Sequence, residues 1–312
     1  MQQYSFGEKL LSDHILLVTG PSRTGKTTLC RILGSCKHVI WIEEPYALAE
    51  LIILYGSGAF EDKRLFERAL GGALNDLIVN SVLYRNANFR PEDLSFVGRY
   101  KPDSDIRFHL ETLKTRQDVN EYILGVNPLF IFDIPDVLLY VNDIKSAFPQ
   151  IKVLCQIRDG MQVAEAAYVK HWFQSEPYVT RDTCNFVVEL NGNDYQIPYF
   201  VAESDWKKFI DCDEYNRCLL YWVSIMQALD TVRDDIDYFV LFDEMMQAPE
   251  ITLFNLINQM NLVKGKLSDR LIGELHPEMS DFSEHLVDDD IYDRYKHIFG
   301  ELRTIVQTKE IS

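Results

Sequence analysis

The sequence predicts an α/β fold, a three-layer sandwich with a central parallel sheet and a P-loop, plus extra helices and a loop-rich insertion. Three observations predict it. Short apolar runs alternate with longer segments whose apolar residues recur at helical spacing, the pattern of a parallel sheet covered by helices on both faces. The first run leads straight into Gly20-Pro21-Ser22-Arg23-Thr24-Gly25-Lys26-Thr27, which fits G-x-x-x-x-G-K-[ST] between a strand and a helix. With 47% hydrophobic residues in a chain of 312, a core of the required size can be buried, and residues 1–312 read as one domain.

The elements follow in order. Ile15 to Val18 is apolar enough for a buried strand, and from Thr27 onward Leu29, Ile32 and Leu33 share a helical face. Between them, Gly20 and Gly25 permit backbone angles that residues with a Cβ resist, so successive N–H groups can turn inward to form an anion nest. The positive end of the following helix dipole adds to it, as do the charges of Arg23 and Lys26. The plainer alternative is a glycine turn before a core helix. Residues 38–42 predict a second strand ending in Glu43-Glu44-Pro45. A helix then runs from Ala47 to Leu54, broken by Gly56-Ser57-Gly58, and residues 62–84 predict a long one.

Residues 86–118 are polar and mixed, with Pro91, Gly98 and Pro102, and are read as an irregular excursion or a substrate-side insertion. Leu129–Ile134 predicts a strand, Pro135–Phe148 a helix with proline in its first turn, and Ile151–Ile157 another strand, a right-handed βαβ unit. Arg158 closes that last strand, where open parallel sheets bind ligands; a surface ion pair is the competing role for an arginine here. A helix is expected from about Met161 to Phe173. Residues 174–213 form the second substrate-side insertion, with a hairpin of Asn185–Leu190 and Tyr195–Val201 about Asn191-Gly192. Asp213–Val232 predicts a long helix with a core stripe. Tyr238–Phe242 predicts the last strand, closed by Asp243-Glu244, and helices are expected at about 249–260 and 288–308.

The net charge of −17 argues against broad binding to nucleic acid or to an anionic membrane, since both need a basic surface. The six cysteines form no C-x-x-C pair, and Cys30 and Cys155 fall in predicted core elements, so buried thiols are expected rather than disulfides or a metal site. Met1 to His14 lacks the apolar core of a signal peptide, and no apolar run approaches the ~20 residues of a membrane span. A soluble protein of a reducing cytoplasm is the expectation. No sequence feature speaks for an oligomeric state.

Two chemistries can use such a loop. A kinase or ATPase needs a carboxylate at the end of a neighbouring strand to hold Mg²⁺ beside ATP; Asp133 and Asp243-Glu244 are the candidates, with Lys26 and Thr27 as partners. The other chemistry comes from a resemblance. Gly20-Pro-Ser-Arg-Thr-Gly25, Ile42-Glu43-Glu44-Pro45, Asp133-Ile-Pro135-Asp136 to Lys152, Gln156-Ile-Arg158-Asp159-Gly160 with Val163 to Tyr168, Arg217 with Tyr221-Trp222, and Phe239 to Glu244 with Pro249 occur in one order. In that order and spacing they resemble the nucleotide-dependent sulfotransferases, especially their bacterial branch. The chain departs from that family's pattern at Lys26, which completes a full Walker A loop, at Asp133-Ile134, and at Ala166, where the family has serine.

The resemblance implies transfer of a sulfuryl group from 3′-phosphoadenosine 5′-phosphosulfate (PAPS) to a hydroxyl or amine of a small-molecule or glycan acceptor, with no metal. It implies that Gly20, Pro21, Ser22, Arg23, Thr24, Gly25, Lys26, Thr27 and Thr28 hold the 5′-phosphosulfate and that Arg158 holds the 3′-phosphate. Arg23 and Lys26 are then the catalytic cations. Glu44 is the expected general base, with Glu43 second and His109 third. A non-catalytic nucleotide-binding protein on the same fold is the remaining alternative.

Overall fold

The computed structural model describes residues 9–174, 185–190, 192–277 and 285–309. Seven strands are present among them: β1 (Ile15–Thr19), β2 (Val39–Glu43), β3 (Leu129–Asp133), β4 (Lys152–Ile157), β5 (Asn185–Leu190), β6 (Asn193–Pro198) and β7 (Tyr238–Leu241). Five of them form one sheet, in the order β2-β3-β1-β4-β7, with every pairing parallel. The strand leading into the loop therefore lies at the centre, and all the carboxyl ends crowd round that loop. The expected unit of β3, helix and β4 is there, but its strands flank β1 rather than each other. From β1 the chain departs toward β2 and from β4 toward β7, so the crevice between β1 and β4 is a topological switch point.

Alternation along β1 divides the core. Ile15 and Leu17 join one apolar cluster, with Phe66, Ile144, Val163 and Trp222. Leu16 and Val18 join the other, with Leu29, Val240, Leu253 and Leu271. Helices Lys63–Val82, Gly160–Tyr168, Glu214–Met226 and Asp289–Lys309 serve the first face; Lys26–Gly34, Pro249–Gln259 and Ser268–Gly273 serve the second. The result is the three-layer sandwich that the alternation of elements predicts.

Several expected elements change in detail. The helix expected over Pro135–Phe148 begins late: a turn with Asp136 at φ 65° precedes a 3₁₀ segment, Leu138–Tyr140, and a helix only at Val141–Ala147. The cause is tertiary. Ile134 N–H bonds to Val18 O and Asp136 N–H to Gly20 O, which keeps this segment beside β1 and its loop. Residues 86–118 are largely ordered, not irregular, with helices Val97–Tyr100 and Asp103–Thr112, and a third, Arg116–Val126, starts at their end. That third helix opens with a capping box of Thr115 and Asp118, but it buries only Val119 and Ile123, so its apolar period was faint. The helix expected to reach Phe173 stops at Tyr168. The one expected over Asp213–Val232 divides at Met226, and residues 215–226 are buried all round rather than along a stripe. The hairpin runs from Asn185 opposite Pro198 to Leu190 opposite Asn193, shorter in its second strand than expected; Asn191 of its turn lies outside the described residues.

Cys30, Cys36, Cys155, Cys212 and Cys218 are free thiols; Cys184 lies outside the described residues. No helix among the described residues is long and apolar enough to cross a membrane.

Candidate active site

The loop takes its shape from its glycines. Gly20 (φ 119°) and Gly25 (φ 87°) adopt left-handed angles, and Gly25 caps the helix Lys26–Gly34. A Cβ on Gly20 would overlap the carbonyl oxygen of Gln156, and one on Gly25 would overlap the ring of Phe242. Gly20→Ala is therefore expected to cost at least about 2 kcal/mol, read as a lower denaturation midpoint; an unchanged midpoint would show that β4 yields to the added carbon.

Between the glycines, no acceptor among the described residues takes the backbone N–H groups of residues 23–27. These donors, at the start of a helix, make an anion nest. Lys26 is buried, and its ammonium bonds to Pro21 O (2.7 Å), Gly20 O (3.2 Å) and Thr24 Oγ1 (3.4 Å). It thereby tightens the loop from within. Gly20, Pro21 and Thr24 form the floor of the loop, and Thr24 Oγ1 donates to Pro21 O. Ser22, Arg23, Gly25, Lys26, Thr27 and Thr28 face a cavity of about 620 Å³.

Asp136 pins the loop from below, a role invisible in the sequence. Its Oδ1 accepts from Ser22 N–H (2.8 Å) and Tyr221 O–H (2.6 Å), and its Oδ2 accepts from Ser22 O–H (2.9 Å). Its carbonyl oxygen accepts from Tyr199 O–H. One buried residue at positive φ thus ties the loop to helix Glu214–Met226 and to the chain just past β6. The only available signal was an aspartate after a proline, which reads equally well as a helix start.

Across the switch point, Arg158 is half-buried. Its Nε donates to Gln162 Oε1 (2.8 Å), its Nη1 donates to Arg23 O (3.2 Å), and its guanidinium lies 4.3 Å from the centre of the Phe242 ring. The turn that carries it is held twice. Trp222 Nε1 donates to Arg158 O, and Asp159 caps the next helix while accepting from Tyr295 O–H. Arg158 and Phe242 also line a neighbouring cavity of about 250 Å³, with Asp243 and Glu244.

Glu44 reaches the loop cavity from the end of β2. It adopts φ 35°, its N–H bonds to Asp133 O (3.0 Å), and its carboxylate accepts from Tyr46 O–H (2.7 Å). His109, the third candidate base, is excluded by geometry. It is buried on helix Asp103–Thr112, bonded to Val82 O and stacked on Tyr84, and it does not line the cavity. Burial lowers its pKa.

Polar atoms without partners gather beneath the loop. Thr19 Oγ1, Asp133 Oδ1 and both amide atoms of Gln156 are buried and unpaired among the described residues. Such orphans are costly in a core and are expected where a ligand completes them. Asp133 is paired in register with Val18 of β1, is 1% exposed and lines the loop cavity. Burial pushes its carboxyl up to about 7, opposed by Lys26 and reinforced by Glu44, Glu43 and Asp136. Of the two carboxylate sets considered for a metal, Asp133 faces the loop, whereas Asp243 and Glu244 face the neighbouring cavity.

No family model and no curated protein matches the chain. Among solved structures it is similar to the sulfotransferase domain of the Synechococcus PCC 7002 olefin synthase, at 15% identity over 95% of this chain and 98% of that one, TM-score 0.44. It is similar also to a sulfotransferase from Alicyclobacillus acidocaldarius, at 13% identity over 94% of each chain, TM-score 0.39. A third likeness is to a sulfotransferase from Mycobacterium avium, at 11% identity over 96% of this chain and 78% of that one, TM-score 0.45. The likeness is one of fold.

Proposed function

We propose that the chain is a single-domain sulfotransferase that uses PAPS and a hydroxyl or amine acceptor. The observation that carries this reading is the pairing of two cationic anchors across one switch point: a loop nest with Arg23 and Lys26 on the β1 side, and Arg158 on the β4 side, both lining one cavity. A donor with phosphate groups at both ends of its ribose fits two such anchors. The backbone N–H groups of residues 23–27, with Thr28 beside them, would hold the 5′ end, and Arg158 the 3′-phosphate.

When bound, the donor supplies the sulfuryl group. Arg23, exposed at the mouth of the nest, places its guanidinium where charge builds on the leaving oxygen. Lys26 keeps the loop in its binding shape. Glu44, the cavity carboxylate at the end of β2, takes the acceptor's proton. Free thiols suit a reducing compartment such as the cytoplasm, and the acceptor is a small molecule or glycan rather than nucleic acid.

Thermal shift tests the reading. Adenosine 3′,5′-bisphosphate (PAP) at 100 times its dissociation constant adds about 2.7 kcal/mol of stability. A metal-independent rise in Tm is expected, and it is lost in Arg158→Ala. A rise with Mg-ATP and none with PAP overturns the proposal.

One observation favours a second reading, a Mg-ATP-dependent kinase or ATPase. Buried Asp133, on the strand next to β1, shares the cavity with Thr27 behind a full Walker A lysine. These are the groups that would hold a metal ion against a phosphate. The same thermal shift separates the two.

A further inference from the structure

Arg31 has no role in the readings above. It lies four residues after Thr27 on the helix Lys26–Gly34, on the same face and about 6 Å further along the axis. Both residues line the loop cavity. Arg31 is half-buried, its Nε has no accessible surface and no acceptor, and no ion pair among the described residues engages it.

The surroundings of Arg31 are also short of negative charge. Arg99 is close enough to repel it, and its Nε is buried and unpaired as well, with Nη2 donating to Pro91 O. The nearby carboxylate Glu274 lines the same cavity, but Arg270 holds it at 3.4 Å. Burial lowers the pKa of Arg31, opposed by Glu274 and reinforced by Arg99. In a chain of net charge −17, Arg31 thus has a neighbouring guanidinium, Arg99, and one nearby carboxylate, Glu274, that Arg270 also engages, an imbalance that a bound anion would correct.

We propose that Arg31, backed by Arg99, is a second anion-binding position in the cavity, taking a phosphate, sulfate or carboxylate group about one helical turn from the anion held by the loop. Such a group has two sources: the 3′-phosphate of the donor nucleotide, which Arg31 would then share with Arg158 across the same cavity, or an acidic group on the acceptor. The proposal rests on the nucleotide reading of the loop, and its test separates the two.

Calorimetric titration of wild-type, Arg31→Ala and Arg31→Lys proteins with PAP and with adenosine 5′-monophosphate (AMP) reads the first source. Titration of inorganic sulfate into PAP-saturated protein, where the loop is already filled, reads the second. If the donor is the source, Arg31→Ala lowers PAP affinity by about 10–100-fold, leaves AMP affinity unchanged, and Arg31→Lys recovers part of the loss. If the acceptor is the source, PAP affinity holds, wild-type protein binds sulfate over bound PAP, and Arg31→Ala abolishes that binding. Equal loss of PAP and AMP, or no change in either titration, overturns the proposal while the nucleotide reading stands. A wild-type protein that binds neither nucleotide brings down both.

Discussion

Arg23→Ala is expected to reduce sulfuryl transfer by about 10²–10³-fold while leaving PAP affinity within about threefold of the wild type. The separation follows from where the residue's groups lie. Its backbone N–H belongs to the nest and its carbonyl accepts from Arg158, and alanine keeps both. Its side chain is exposed at the cavity and holds no loop carbonyl, unlike Lys26, whose ammonium bridges Gly20 and Pro21. Removing Lys26 would confound loop shape with catalysis; on the proposed reading, removing the Arg23 guanidinium takes away charge at the reacting end alone. Steady-state kinetics with PAPS, set beside PAP calorimetry, measures the two quantities. A loss confined to affinity would make Arg23 a ground-state anchor.

Asp133→Asn is expected to stabilise the ligand-free protein, and more strongly at pH 8 than at pH 5. The carboxyl of Asp133 is pushed up to about 7 in the folded protein, chiefly by burial. Between its unfolded value of about 3.9 and about 7, the folded state holds a proton that the unfolded chain releases. Folding stability therefore falls as pH rises through this window, and above it the native state bears the full cost of a buried carboxylate. A shift of about three units corresponds to about 4 kcal/mol as an upper bound, partly relieved by Lys26. Asparagine keeps the shape and discards the charge. The difference in Tm between variant and wild type should grow from pH 5 to pH 8, and a pH-independent difference would mean that Asp133 is already ionised in the folded protein at pH 5, so that folding takes up no proton. The variant also divides the two functional readings, because it should abolish a Mg-ATP response and spare a PAP response.

A residue that costs stability and is nonetheless buried beneath a glycine loop, at the edge of its cavity, is the kind of local conflict expected at a functional site. Gln156 makes the same point, since its amide lies fully buried and unpaired under the loop. The sequence marks Asp133 as a strand-end carboxylate but not that it is buried, and it gives Gln156 no role of its own, because nothing in a strand's period says what packs above its last residues.

The sequence by itself determined the layer architecture, the parallel sheet and the glycine loop between β1 and its helix. Each rests on short-range physics: apolar period, the angles open to Gly20 and Gly25, and the strand–loop–helix order around Lys26. It also put Arg158 and Glu44 at strand ends, which in a parallel sheet share one edge. What only the tertiary structure decided was the order β2-β3-β1-β4-β7, and with it which strand ends meet at the loop. That order brings Asp133 rather than Asp243 into the loop cavity, turns Asp136 out of a helix to pin Ser22, and buries His109 away from the site. It also leaves Arg31 facing the cavity beside Arg99, 68 positions along the chain, counting from 31 to 99. Contacts between residues so far apart depend on how the strands and helices pack, and no local pattern in the chain encodes them.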